Sequence, residues 1–173
     1  MRHEVKKKKF VDPGSQGRPK WYPSPEPDQD ILFFIQRNQN QNTIVYRVNR
    51  TSEGLIDQYL PMDAYWIDYD QGGIRTELND LQNRLAFGYD SEKINNNLYK
   101  FQFVAYKEMT FYILEEGDAF KVIYDRNGRK VILENIYVYA LEFGVFPVVR
   151  YVEFFGRDFR TNEKDYLKIT IEK

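Results

Sequence analysis

From Ile31 onward, apolar and polar residues alternate with a period of two, the spacing that sends successive side chains to opposite faces of a β-strand. Ile44, Tyr46 and Val48 fall on one side of their segment, with Thr43, Arg47 and Asn49 on the other. Farther on, Tyr99, Phe101 and Phe103 oppose Lys100 and Gln102. The run from Met109 to Tyr124 is interrupted by Glu115 to Asp118 and reads as a hairpin. A second hairpin is placed at Asn127-Gly128, because a type I′ turn needs positive φ at both central residues and these two tolerate it. Further strands read in "ENIYVYALE", "FPVVRYVEFF" and "YLKITIE", for a total of about nine.

One segment changes period. In "TELNDLQNRLAFG", Leu78, Leu81 and Leu85 recur at helical spacing, with Thr76 as the expected N-cap and Gly88 as the stop. The fold class expected is therefore all-β in the main: an antiparallel β-sandwich or flattened barrel with one short helix plugging an end.

Between the first two strands lies an amide run, Asn38 to Asn42. Asparagine side chains bond their own backbone in Asx-turns and accept left-handed conformations, so a hairpin turn is the simplest reading. The alternative is a ligand-binding surface that includes Gln36, Arg37, Asn40 and Asn42. Tyr65, Trp66 and Tyr69, clustered before Gly72-Gly73, extend that candidate, since aromatic faces stack sugars and line apolar cavities. Core and rim packing is the commoner fate of such a group. Asp68 and Asp70 stand two apart, but no bidentate Glu closes a calcium loop after them.

Residues 1–30 show no periodicity and hold five of the seven prolines. They read as an extended arm preceding one β-rich domain, 31–173. Phe10, Trp21 and Tyr22 are spaced along it like anchors. Residues 1–20 carry seven basic side chains against Glu4 and Asp12, a balance of +5, which leaves about −6 on the rest of a chain whose formal charge is −1. An acidic body argues against nucleic acid as its partner, whereas Lys6, Lys7, Lys8 and Lys9 suit an anionic surface.

Composition removes several chemistries. Without Cys there is no thiolate nucleophile, disulfide or cysteine-held zinc, and with His3 the sole histidine the body has no imidazole base. No cofactor is indicated. Forty-two per cent hydrophobic residues, including 14 Tyr and 13 Phe, provide for a packed, aromatic core. No signal peptide or transmembrane run is legible, so the chain reads as soluble and intracellular, in cytoplasm or an organelle lumen.

The landmarks "LFFIQRNQNQNTIVYRVN" (Leu32 to Asn49), Gly54, Pro61, "YWIDY" (Tyr65 to Tyr69), "LNDLQNRLAFG" (Leu78 to Gly88), "FVAY" (Phe103 to Tyr106) and "PVVRYVEFFG" (Pro147 to Gly156) occur in an order that resembles the domain of unknown function family 4833. The resemblance spans nearly everything after Ile31 and leaves the arm outside. It implies a β-rich fold and carries no established activity, catalytic residue or cofactor. Asp68 stands where the resemblance leads one to expect a basic residue, which counts against a shared role for it.

Three functions remain in view. The first is a non-enzymatic interaction module, an accessory subunit docking in a larger assembly through Lys6 to Lys9, Phe10, Trp21 and Tyr22. The second is a β module binding an apolar or sugar-like small ligand through Gln36, Arg37, Asn40, Asn42, Tyr65, Trp66 and Tyr69. The third is a carboxylate-dependent hydrolase, which needs two acids converging in a cleft.

Overall fold

The computed structural model describes residues 18–143 and 146–171. Among the described residues there are eleven strands: β1 (Ile31–Arg37), β2 (Thr43–Val48), β3 (Met62–Asp68), β4 (Ile74–Glu77), β5 (Tyr89–Asn95), β6 (Leu98–Phe103), β7 (Tyr106–Glu116), β8 (Ala119–Arg126), β9 (Arg129–Phe143), β10 (Phe146–Asp158) and β11 (Lys164–Thr170). They belong to one hydrogen-bonded sheet. Nine follow a curled path, β4-β3-β2-β1-β9-β8-β7-β6-β5, that forms a half-barrel, and β10 and β11 add to it beside β9. The fold is mainly β, as the alternation indicates. Two strands without a buried alternation, β4 and β5, are the outermost on the path, where a polar sequence keeps an open edge soluble.

The expected hairpins form. Asn127 and Gly128 adopt φ of 54° and 88° between β8 and β9, and Gly117 takes positive φ between β7 and β8. One pairing departs from the antiparallel rule: β1 runs parallel to β9, with Phe34 to Arg37 beside Asn135 to Val138. No hairpin constrains strands so far apart in sequence, so either direction is open to them.

The long β9 organises the rest. β10 follows it from Phe143 back to Val131 along one edge, so β8 and β1 must share the other. β8 takes Arg129 to Ile132 and β1 takes Asn135 to Val138. Two neighbours on one edge have to diverge, and the sheet forks there into two wings, β1 to β4 and β5 to β8. Their inner faces meet through aromatic rings. Phe33 of β1 stacks on Tyr46 of β2 at 4.5 Å, and across the gap it lies 6.3 Å from Phe101 and 6.0 Å edge-on to Phe103. Phe111, Tyr124, Ile136 and Phe154 continue this core.

The helical segment differs from its reading. The helix α1 (Asp80–Leu85) is only six residues long, and its N-cap is Asn79, not Thr76, which belongs to β4. Asn79 and Gln82 exchange side-chain to backbone bonds in a capping box, a stronger start signal than a lone threonine. Leu81 and Leu85 are 55% and 64% exposed, while Leu78 before the helix is buried. A helix this short lends its flanks to the core rather than a face, and Phe87 accordingly packs edge-on to Trp66 at 5.7 Å. Gly88 is required by space: a Cβ there would lie 1.8 Å from the Asn83 carbonyl oxygen.

Gly156 is similarly confined. It sits where the β9–β10 register slips past Glu134, and a Cβ would come within 2.1 Å of the Ile132 carbonyl oxygen. Gly156→Ala is therefore expected to cost about 1–3 kcal/mol by forcing the backbone apart. Urea denaturation measures it, and a midpoint unchanged from wild type contradicts the close approach.

Candidate functional site

Register places four polar or amphipathic side chains in a row across the sheet: Gln36 on β1, Tyr137 on β9, Glu153 on β10 and Lys168 on β11. Directly paired residues share a face. Their neighbours Ile35, Ile136, Phe154 and Leu167 are paired in the same order and point into the aromatic core, so the row lies on the opposite face.

That face is covered by the chain's own segment before β1. Tyr22 is buried against Tyr137 and Tyr151, and its hydroxyl donates to the Arg37 carbonyl at 2.9 Å. Gln36, fully buried, is the hub. Its Oε1 accepts from Arg18 Nε at 2.6 Å and from Asn135 Nδ2 at 3.2 Å, and its Nε2 donates to the Pro23 carbonyl at 3.0 Å.

Glu153 is wholly inaccessible to solvent. Its Oε2 accepts a hydrogen bond from the Tyr166 hydroxyl, while Oε1 has no partner among the described residues. Burial disfavours the ionised form and pushes the carboxyl up to about 7, against the pull of the Tyr166 bond and of the Lys168 and Arg18 charges. Burial likewise raises the phenols of Tyr137 and Tyr151 above their ordinary value, so both stay protonated as donors.

Beside this layer, where β1 and β8 part, a cleft of about 810 Å3 opens. Ser24 to Asp28 form one wall, Phe34, Phe120 and Phe155 contribute aromatic surface, and Lys121, Arg157 and Lys164 stand on the strands opposite. Arg157 is engaged by Glu134 at 3.2 Å. Asp165, on the same lining, is held by Arg126 and Arg129 at 2.7 and 2.8 Å, a structural network that closes β8, β9 and β11 together. Asn135 links the cleft to the polar row. It lines the cleft, is 7% exposed, and leaves its Oδ1 without a partner among the described residues.

Of the residues singled out from sequence, Gln36 and Tyr22 belong to this site, and the other described ones lie elsewhere. Arg37, one position on, faces the other way, stacks over Trp66 at 4.8 Å and donates to Asn40 Oδ1 at 3.0 Å. Asn40 Oδ1 also caps the Asn42 amide, and Asn42 Oδ1 accepts from the Asp70 amide at 3.1 Å. The Asn38 side chain both donates to and accepts from the backbone of Ala140. The amide run is thus a turn tied to its surroundings. Tyr65 and Trp66, consecutive on β3, point to opposite faces: Tyr65 lies under Arg75 at 3.9 Å and Trp66 donates to Gln82. Tyr69 opens the 3-10 turn after β3 and joins neither. Trp21 is 71% exposed, in contrast to the buried Tyr22 beside it. Lys6, Lys7, Lys8, Lys9 and Phe10 lie outside the described residues.

Sequence reading missed Arg18, Asn135, Glu153 and Tyr166. A signal existed for two of them: Glu153 interrupts the apolar strand "VVRYVEFF" and Asn135 precedes "IYVYAL", each a polar residue where an uninterrupted core strand has none. Among the described residues no group of three or more His, Asp or Glu side chains could hold a metal, and no helix is long and apolar enough to cross a membrane.

These features define a class: a mainly β half-barrel with a buried carboxylate on one sheet face and an adjoining cleft walled in part by its own N-terminal segment. The chain belongs to DUF4833, a domain of unknown function, whose family model matches residues 33–168. Gln36, Asn135, Glu153 and Lys168 fall inside the matched span, whereas Arg18 and Tyr22 precede it. Comparison with curated proteins and with solved structures gives no match.

Proposed function

We propose that this protein is a small-ligand-binding β module that takes an amphipathic molecule into the cleft at the fork. The observation that carries the reading is Asn135, a buried amide lining an aromatic cleft with its Oδ1 unpaired among the described residues. Ligand pockets of roughly 300–1,000 Å3, mostly apolar with a few placed polar groups, are the usual form of such sites, and the cleft falls within that range. An unsatisfied buried acceptor costs about 1–3 kcal/mol, which a ligand donor would recover. Native mass spectrometry of gently purified protein tests this. A retained small molecule is expected on the wild type and is lost from Asn135→Leu at unchanged circular dichroism; retention equal in both proteins removes Asn135 from the site.

A second reading, an interaction module that docks through its arm, draws support from Trp21. The ring is held edge-on to the anchored Tyr22 at 4.8 Å yet remains exposed, a fixed apolar surface beside Lys20. Under this reading Trp21→Ala, or removal of residues 1–17 with Lys6 to Lys9 and Phe10, abolishes co-purification of a partner protein. Association that survives both changes rules it out. A hydrolase with paired carboxylates has less support, because the charges acting on Glu153 come from Lys168 and Arg18 rather than from a second acid.

A further inference from the structure

The polar end of the cleft holds two unspent groups side by side. Arg18 is half-buried and commits Nε to Gln36, but it takes part in no ion pair with a described carboxylate, and its two terminal nitrogens have no acceptor among the described residues. Glu153 attracts it only from a distance, through a carboxyl that is fully buried and already bonded to Tyr166. Drawing a cation part-way out of water is costly, and burial lowers the Arg18 pKa against the more distant pull of Glu153. Next to it stands Asn135 Oδ1, an acceptor in want of a donor. One atom, Gln36 Oε1, receives both Arg18 Nε and Asn135 Nδ2, so the guanidinium and the amide occupy the same corner, and both line the cleft.

We infer that this corner reads a ligand head group that pairs a carboxylate with an adjacent N–H or hydroxyl donor, on an apolar body lying along Phe34, Phe120 and Phe155. The simplest members of that class are N-acyl amino acids and 2-hydroxy fatty acids. The carboxylate meets the two terminal nitrogens of Arg18, which have no acceptor among the described residues, through charge-assisted bonds, and the neighbouring donor meets Asn135 Oδ1. This assignment rests on the cleft being a ligand site. It also gives the segment before β1 a part in recognition, since it delivers Arg18.

Three matched probes at sub-micellar concentration separate the contributions: N-dodecanoylglycine, its neutral glycinamide, and N-dodecanoylsarcosine, which keeps the carboxylate but lacks the N–H. Calorimetry on the full chain is expected to show the glycine conjugate binding about tenfold more tightly than either analogue. Arg18→Gln erases the preference over the glycinamide and leaves the preference over the sarcosine, whereas Asn135→Leu does the reverse. Arg18→Lys, which keeps the charge but not the fork, falls between. A glycinamide that binds as tightly as the acid, or an acid preference that survives Arg18→Gln, overturns the assignment. If none of the probes binds while the native mass spectrum still shows a cleft ligand of other chemistry, the head-group assignment falls and the cleft reading stands. If neither is seen, both fall.

Discussion

Glu153→Gln is expected to raise stability by roughly 3 kcal/mol at pH 8 and to change it little at pH 4.5. The sign follows from the direction of the shift. Burial moves this carboxyl from its ordinary 4.5 up to about 7 in the folded protein, so between those values the native state holds a proton that the unfolded chain has released. Stability contributed by this group therefore falls as pH rises through the window from 4.5 to 7, and above it the folded protein carries the full cost of an ion sealed from water. Glutamine keeps the shape and still accepts the Tyr166 hydroxyl bond, but it has no charge to desolvate. Urea denaturation of both proteins at several pH values isolates the effect, because other carboxylates cancel in the difference. The pull of Lys168 and Arg18 opposes the shift, so a difference that stays flat from pH 4.5 to 8 would mean that those cations outweigh burial.

The second large effect lies on the other face. Phe33→Ala is expected to cost about 3–5 kcal/mol, the range for removing a buried phenyl ring, because this ring joins the two wings. It stacks on Tyr46 within its own wing and meets Phe101 and Phe103 across the core. Its neighbour Phe34 supplies an internal control. One residue along the strand its ring lines the cleft instead, partly exposed, so Phe34→Ala is expected to cost about 1 kcal/mol and, under the proposed ligand-binding function, to weaken retention of the cleft ligand. Equal losses from the two substitutions in urea denaturation would contradict the division of β1 into a core face and a cleft face.

Alternation by two is a local property of the backbone and was legible in β2 and β6, but β1 is apolar without a break from Ile31 to Ile35, so its two faces were separated only by the fold. The Asn127-Gly128 turn was legible as well, and so were the turn-forming amides from Asn38 to Asn42, whose bonds run mainly to their own loop or to the strands beside it. The helix was placed, but its apolar stripe was misleading: Leu81 and Leu85 match the period and face solvent, since periodicity reports which residues can share a face and not what that face meets. Tyr65, Trp66 and Tyr69 failed as a group for the same strand geometry that succeeded elsewhere, because consecutive strand residues point apart.

The amino-acid sequence by itself determined that this chain forms strands, where several of them turn, which faces are apolar, and that thiol and imidazole chemistry are closed to its body. Tertiary structure decided the site. Gln36, Asn135, Glu153 and Lys168 come from β1, β9, β10 and β11, and nothing in their local spacing relates them. They meet because β1 docks in parallel on the far half of β9 while β10 and β11 add beyond it, a register set by long-range pairing and by the bulge at Gly156. The same pairing opens the fork and its cleft, and it offers the face on which Tyr22 and Arg18 settle. Burial raises the Glu153 carboxyl, and burial is a property of the assembled sheet rather than of any segment in it.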